Sequence, residues 1–249
     1  MRTQLFAKRN AKEILRDPLS FFFGLGFPLV LLVLLSVVNA SLPPEANNTM
    51  FAIENLAPGL AIFGTVFMAL FAGMLLSKDR TTSFLMRLFT SPMRAGDFIS
   101  GYTLPLLALT LPQAAITFLA ASLWGFEITI YLIPAILVTT LTSLLFIALG
   151  LLAGSLMNDK AVGGVCGALL TNVAGWLSGV FMPLDLIGGT FKRLAEILPF
   201  FHSVEAIKKI LAGDFSTSLH HLLLVLAYTA LVFMLAIIAF KRKMTGGKA

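Results

Sequence analysis

Ala161 to Phe181 reads AVGGVCGALLTNVAGWLSGVF, and Met182 to Gly213 continues as MPLDLIGGTFKRLAEILPFFHSVEAIKKILAG. The first piece is apolar and long enough to cross a hydrocarbon core of about 30 Å as a helix. Along it Gly163, Gly167, Thr171, Gly175 and Gly179 recur every four residues. They lay a slowly winding ridge of small side chains on which another helix can pack closely, within the chain or across a dimer axis. The second piece sets Lys192, Arg193, Lys208 and Lys209 among apolar residues, and no run in it is long enough to span. Pro183 ends the span, Gly188-Gly189 form a joint, and Phe191 to Leu198 make a short helix stopped by Pro199. Ser203 reads as the N-cap of VEAIKKIL, with Glu205 in its first turn and Gly213 as its stop. Two helices too short to cross and too apolar to float predict a re-entrant hairpin over 183–213. Irregular backbone at such depth requires cover from protein or a water-filled cavity.

The remaining composition sets the class. Of 249 residues, 58% are hydrophobic and 12% charged, with a mean hydropathy of +0.93. Soluble domains carry about twice that charged fraction, so the chain is an all-α integral membrane protein. Six apolar runs are long enough to span: 19–38, 58–76, 101–123, 131–154, 161–181 and 221–240, none with an Asp, Glu, Lys or Arg. With the N-terminus in the cytoplasm, fourteen Lys and Arg fall inside and four outside, all four in the 182–220 segment. The positive-inside rule then puts both termini in the cytoplasm of a multi-pass protein. The net charge of +6 is accounted for by this topology, and no nucleic-acid partner is expected. Cys166, the single cysteine, lies within an apolar run and forms no intrachain disulfide. The basic segment Met1 to Asp17 leads into a full-length apolar run without a cleavage site, which predicts a retained first span.

Residues 1–18 form the first region and 19–249 the six-span domain. Leu5, Phe6, Ile14 and Leu15 lie among cations before Asp17-Pro18, a pattern for an amphipathic helix in the cytoplasmic interface. The 78–92 segment carries Phe84, Leu85, Leu88 and Phe89 at helical spacing around Arg87, between Thr81 and Pro92. Apolar side chains on the cytoplasmic side need a partner, either a membrane surface they skim or a docked cytoplasmic protein. Phe63, Phe67 and Phe71 form a stripe read as a packing or lipid-facing surface. Gln113, Thr117, Thr139, Thr142, Ser143, Asn172 and Ser178 are polar within spans and read as interhelical hydrogen bonds of about 0.6 kcal/mol each.

Several chemistries find no residues. There is no G-x-x-x-x-G-K-[ST] to cradle ATP phosphates and no H-E-x-x-H; His202, His220 and His221 read as interfacial, with no cysteine or carboxylate cluster to complete a metal site. No catalytic residue is assigned. Spans free of carboxylates lack what ion-driven carriers work with, so a transport energy source lies elsewhere.

Leu177-Ser178-Gly179-Val180-Phe181-Met182-Pro183-Leu184, then Ile197-Leu198-Pro199-Phe200, then Val204-Glu205-Ala206-Ile207-Lys208-Lys209 follow one another as in the permease subunits of type-2 ABC exporters. The chain resembles that bacterial family over nearly its whole length, with support from Arg16-Asp17-Pro18 and Thr81 to Pro92. Lys78-Asp79-Arg80-Thr81-Thr82 departs from the family, whose coupling segment carries glutamates around a Gly-Thr. The resemblance implies half of a dimeric permease in the bacterial cytoplasmic membrane, pairing with a second copy or a paralogue. Two ATP-binding cassette subunits would hold the ATP and Mg, leaving no cofactor in this chain. It also implies ATPase coupling through Thr81, Phe84, Leu85, Arg87, Leu88, Phe89 and Pro92, and an outer gate at Pro183, Pro199, Phe200, Glu205, Lys208 and Lys209. Phe is abundant (22) while Trp (2) and Tyr (3), which pair with sugar hydroxyls, are scarce. That composition favours an apolar or amphipathic substrate such as a drug, lipid or antimicrobial peptide over a polysaccharide or glycolipid. A non-transporting scaffold or sensor is the alternative of a different class.

Overall fold

The computed structural model describes residues 2–18, 22–41, 51–82, 93 and 95–246, and these form helices joined by short turns. They are α1 (Arg2–Leu15), α2 (Phe22–Ser41, opening with a π-helical turn over Phe22–Gly26), α3 (Ile53–Thr81), α4 (Ala95–Ala121), α5 (Leu132–Leu156), α6 (159–177), α7 (Leu184–Ile187), α8 (Gly189–Ile197), α9 (Pro199–Leu211) and α10 (Phe215–Gly246). No strand occurs among the described residues.

The helix ends follow local chemistry. Asn158 starts α6 by accepting the Ala161 N–H at 2.9 Å, and Asp214 starts α10 by accepting that of Thr217 at 3.1 Å. Gly179, Gly188, Gly189 and Gly213 all have positive φ, which breaks the chain between α6 and α10 into short pieces. The N-cap expected at Ser203 is not one. The helix already begins at Pro199, whose fixed φ suits a first helical position, and the Ser203 hydroxyl donates back to the Pro199 carbonyl at 2.9 Å.

Five helices among the described residues are long and apolar enough to cross a membrane: Phe22–Ser41, Ile53–Thr81, Ala95–Trp124, Leu132–Leu156 and Phe215–Arg242. They cover the first four and the last of the expected runs. The expected run 161–181 is helical only as far as Leu177, as part of α6, with a π-helical stretch over Gly163–Leu169; just beyond it the Thr171 hydroxyl donates to the Cys166 carbonyl at 3.1 Å.

The centre of the bundle is α3, with 89% of its most apolar stretch buried, against 22% for α2 and 17% for α10. α3 packs most extensively on α5, which also packs on α10, and α4 lies against both α3 and α5. The α3–α5 crossing is backbone on backbone. A Cβ added at Gly73 would stand 2.8 Å from the Gly150 carbonyl oxygen, and one at Gly150 would overlap the Ala69 carbonyl. Here Ala69, Gly73, Gly150 and Gly154 do what small residues spaced by four do between membrane helices. The stripe of Phe63 and Phe67 is packing surface: its rings meet Phe23 and Phe27 of α2 at centroid distances of 5.6 to 6.3 Å. Most span hydroxyls bond within their own helix, Thr139 to Ala135, Thr142 to Thr139 and Ser143 to Thr140. The i−3 and i−4 carbonyls are always in reach of a helical hydroxyl, so they win over partners across an interface. Gln113 does reach across, donating to the Ala61 carbonyl at 3.3 Å.

Candidate functional site

Two regions at opposite ends of the bundle collect the polar chemistry. At one end, α1 lies on the start of α4. Its buried face is Phe6, Asn10 and Ile14, one position every four residues, while Leu5 and Leu15 remain exposed. Phe6 lies over Gly101, where a Cβ would strike its ring, and meets Tyr102 edge-on at 4.9 Å. Beside it Arg9 grips Asp79, in the last turns of α3, through two hydrogen bonds of 2.6 and 2.9 Å. The Tyr102 hydroxyl donates to the same carboxylate at 2.8 Å, Arg9 also meets Glu13 at 2.6 Å, and Asn10 donates to the Gly101 carbonyl at 3.0 Å. The Asp79 side chain is 4% exposed and that of Arg9 35%. A buried carboxylate with a forked guanidinium and a phenol around it is satisfied, and it ties α1, α3 and α4 into one unit. One residue on, Arg80 donates to the Gly154 carbonyl at 2.6 Å and so binds the end of α5 to the end of α3.

The expected coupling segment follows this junction directly. Thr81 closes α3 and is exposed. Phe84, Leu85, Arg87, Leu88, Phe89 and Pro92 lie outside the described residues. Arg9, Asp79 and Tyr102 were not among the residues singled out from the sequence. The available signal was Asp79, an acid one helical turn beyond an apolar run, with Arg9 and Glu13 spaced i,i+4 upstream. Along the same end runs a cleft of about 860 Å³, lined by Lys8, Lys12, Arg16 and Lys78 together with Glu13, Asp17 and Asp159, and by the apolar side chains of Phe71 and Met74.

At the other end, α7, α8 and α9 lie between α6 and α10. The turn between α8 and α9 packs against α5 and α10. Phe200 stacks on Phe146 at 6.0 Å, and the Tyr228 hydroxyl donates to the Ile197 carbonyl at 3.0 Å. Phe146 and Tyr228 both lie on the order of 20 Å along helices that start at Leu132 and Phe215. The far end of α9 returns to the bundle's edge, where Gly213 meets the Tyr131 ring. Pro199, Phe200 and Ile207 are buried, Glu205 and Lys208 pair at 3.5 Å, and Lys209 is half-buried. Pro183 precedes α7, where Asp185 meets Lys192 of α8 at 2.6 Å; that hydrogen bond and the ammonium charge hold the Asp185 carboxyl below its ordinary pKa. His202 of α9 and His221 of α10 face each other at 2.7 Å between Nδ1 atoms. Among the described residues no group of three or more His, Cys, Asp or Glu could hold a metal.

The structure does not bring the five ridge positions together against a single partner helix. Gly163 faces open space, Gly167 touches only the Leu70 side chain, and Gly175 lies under the Phe181 ring. Thr171 is buried and Gly179 ends the helix.

Apolar helices around a buried central one, with polar junctions confined to the ends, define a polytopic, membrane-integral protein. Within that class the chain belongs to the ABC-2 type transporter family, whose sequence model matches residues 1–212. It is 26% identical over 234 residues to Nodulation protein J of Rhizobium meliloti, which covers 92% of this chain and 85% of the relative. It is 28% identical over 232 residues to that of Bradyrhizobium diazoefficiens, with the same shares of 92% and 85%. For that of Rhizobium leguminosarum bv. trifolii the identity is 27% over 200 residues, or 80% of this chain and 72% of the relative. Members of the family are transmembrane permeases, and ATP is hydrolysed on a separate ATP-binding subunit, which is therefore this chain's partner.

Proposed function

We propose that this chain is half of a dimeric exporter in the bacterial cytoplasmic membrane, moving an apolar or amphipathic substrate outward on the power of two ATP-binding subunits. The observation that carries the reading is the family match over residues 1–212, laid on a chain with no phosphate-binding loop of its own. In this reading α6 is a sixth span. Its 159–177 stretch is helical throughout, about 28 Å at 1.5 Å per residue, close to the hydrocarbon thickness of about 30 Å. Six spans return both termini to the cytoplasm, in keeping with the excess of cations there.

Force from the ATPase enters through Thr81, Phe84, Leu85, Arg87, Leu88, Phe89 and Pro92. Support comes from what adjoins them: α3, the central helix, runs straight into this segment and is tied to α1 and α4 through Asp79. The segment 183–213 is the re-entrant outer gate, built on Pro183, Pro199, Phe200, Glu205, Lys208 and Lys209. The depth of its α8–α9 turn, opposite Phe146 and Tyr228, supports this. The ridge of Gly163, Gly167, Thr171, Gly175 and Gly179 serves the second permease copy, and the open space at Gly163 leaves it room. Membrane lipid with an anionic headgroup fits the cleft of Lys8, Lys12, Arg16 and Lys78.

A polysaccharide or glycolipid substrate is the second reading. The relatives above bear the name Nodulation protein J and not that of a drug exporter, so composition alone does not decide between the two. Co-expression with an ATP-binding partner, reconstitution in liposomes and ATPase assays across drugs, lipids, peptides and glycolipids test both. Stimulation by an amphipathic compound supports the first reading. Stimulation by glycolipid alone replaces it with the second, and failure of any ATP-binding subunit to co-purify refutes the transport reading.

A further inference from the structure

The contact between His202 and His221 asks for a proton count. The two Nδ1 atoms are 2.7 Å apart, the ring centroids 5.0 Å, and both rings are half-buried. Phe201 packs edge-on against the two rings at 5.5 and 6.2 Å, excluding water from one side. A neutral imidazole has one donor and one acceptor nitrogen, so a hydrogen bond of this length requires one Nδ1 to carry hydrogen and the other to lack it. Two imidazole nitrogens on one tetrahedral zinc, each at about 2.0–2.1 Å, would stand about 3.3 Å apart. The spacing of 2.7 Å is that of a hydrogen bond between the two rings.

We propose that His202 and His221 form a one-proton latch that fastens the α8–α9 hairpin to α10 and opens when both rings are charged. The first added proton leaves the bond intact, since a charged ring can donate to a neutral one. A second turns two N–H groups toward each other and sets two cations in one half-buried contact. The ordinary histidine pKa is about 6.5, and the pair resists its second proton. The latch is therefore closed at neutral pH, survives uptake of the first proton, and is lost in more acid solution as the second proton binds.

Burial comes first at His202 and disfavours its charged form; Glu196 of α8 and Glu205 of α9 favour that form and His220 of α10 opposes it, with Lys209 of α9 also close to the pair. α5, which packs on both α9 and α10, carries no charged residue. Two further ties across the same seam involve no imidazole: the Ser218 hydroxyl donates to the Ala206 carbonyl at 2.6 Å, and that of Tyr228 to the Ile197 carbonyl at 3.0 Å. Opening thus loosens the hairpin without detaching it. The latch stands on this contact alone; that it makes a transport gate responsive to acid rests on the reading of 183–213 as the gate.

The experiment uses the full chain, purified without an ATPase in lipid nanodiscs, so that its outcome is independent of the transport reading. Histidine 15N spectra and hydrogen-exchange protection factors for residues 189–211 are followed from pH 7.5 to 5. At pH 7.5 the two Nδ1 atoms should hold one proton between them. Between pH 7.5 and 5 protection of the hairpin should fall severalfold as the second proton is taken up. His221→Phe, which keeps the ring packing, should abolish that pH dependence, and His220→Phe should retain it. Should His221→Phe fail to fold, the wild-type nitrogen shifts decide the question. Rings that titrate independently while protection stays constant overturn the latch. So does a signature at pH 7.5 that disappears with EDTA, which would mark a metal bridge.

Discussion

Replacing Arg9 with alanine should destabilise this protein more than replacing its partner Asp79 with asparagine, and combining the two should recover part of the loss. The Asp79 side chain is 4% exposed, and Arg9 supplies two of its hydrogen bonds and its counter-charge. Arg9→Ala leaves a buried carboxylate held by the Tyr102 hydroxyl at 2.8 Å, among the partners described. Breaking a buried pair this way costs about 3–5 kcal/mol, and because Arg9 is itself 35% exposed the lower end, about 3 kcal/mol, applies. Asp79→Asn keeps an acceptor for Tyr102 and an oxygen for Arg9, which retains Glu13 at 2.6 Å. Its cost is about 1 kcal/mol. The double variant removes the stranded charge and should be more stable than Arg9→Ala alone, giving a coupling energy of about 1–2 kcal/mol. Equilibrium unfolding of the purified chain in mixed micelles measures all four proteins, and proteolysis of residues 2–15 reports whether α1 has detached. Strict additivity, or an Arg9→Ala cost below about 1 kcal/mol, would refute the junction as a coupled unit.

The helix crossing offers a contrast between glycines. Gly150→Ala drives a Cβ into the Ala69 carbonyl and should cost about 1–3 kcal/mol, whereas Gly163→Ala, which meets open space, should leave the isolated chain unchanged in the same unfolding assay. Gly163→Leu should instead weaken pairing with a second permease copy, visible as loss of crosslinking between cysteines placed on α6 of two copies. Phe84→Asp or Leu88→Asp should abolish co-purification of the ATP-binding subunit while membrane insertion is retained; undiminished co-purification would remove this segment from the coupling site. A disulfide between the 183–213 hairpin and α6 should stop transport and uncouple it from ATP hydrolysis, and full transport with the crosslink formed would make the hairpin a static plug. Lys208→Gln with Lys209→Gln should shift the substrate preference measured by stimulated ATPase activity, with stability unaffected.

Much of the fold is legible in the residue order, because membrane spans are a local property. An apolar run of about 20 residues has to satisfy its backbone internally, and helix is the form a single segment can take. Positive-φ glycines at 179, 188, 189 and 213 likewise mark where helices stop, since no other residue adopts that backbone cheaply. The family, too, is carried by linear motifs around Gly179, Pro183 and Pro199. What one dimension does not contain is which small residues meet. The Gly163 to Gly179 ridge is the longer repeat, yet the intimate crossing falls at Ala69, Gly73, Gly150 and Gly154, because α3 and α5 occupy the centre and α6 does not. Nor does it contain pairings across 70 residues, such as Arg9 with Asp79, or His202 meeting His221 from a neighbouring helix. A charge or an imidazole is defined by what stands opposite it, and only the packed helices decide that.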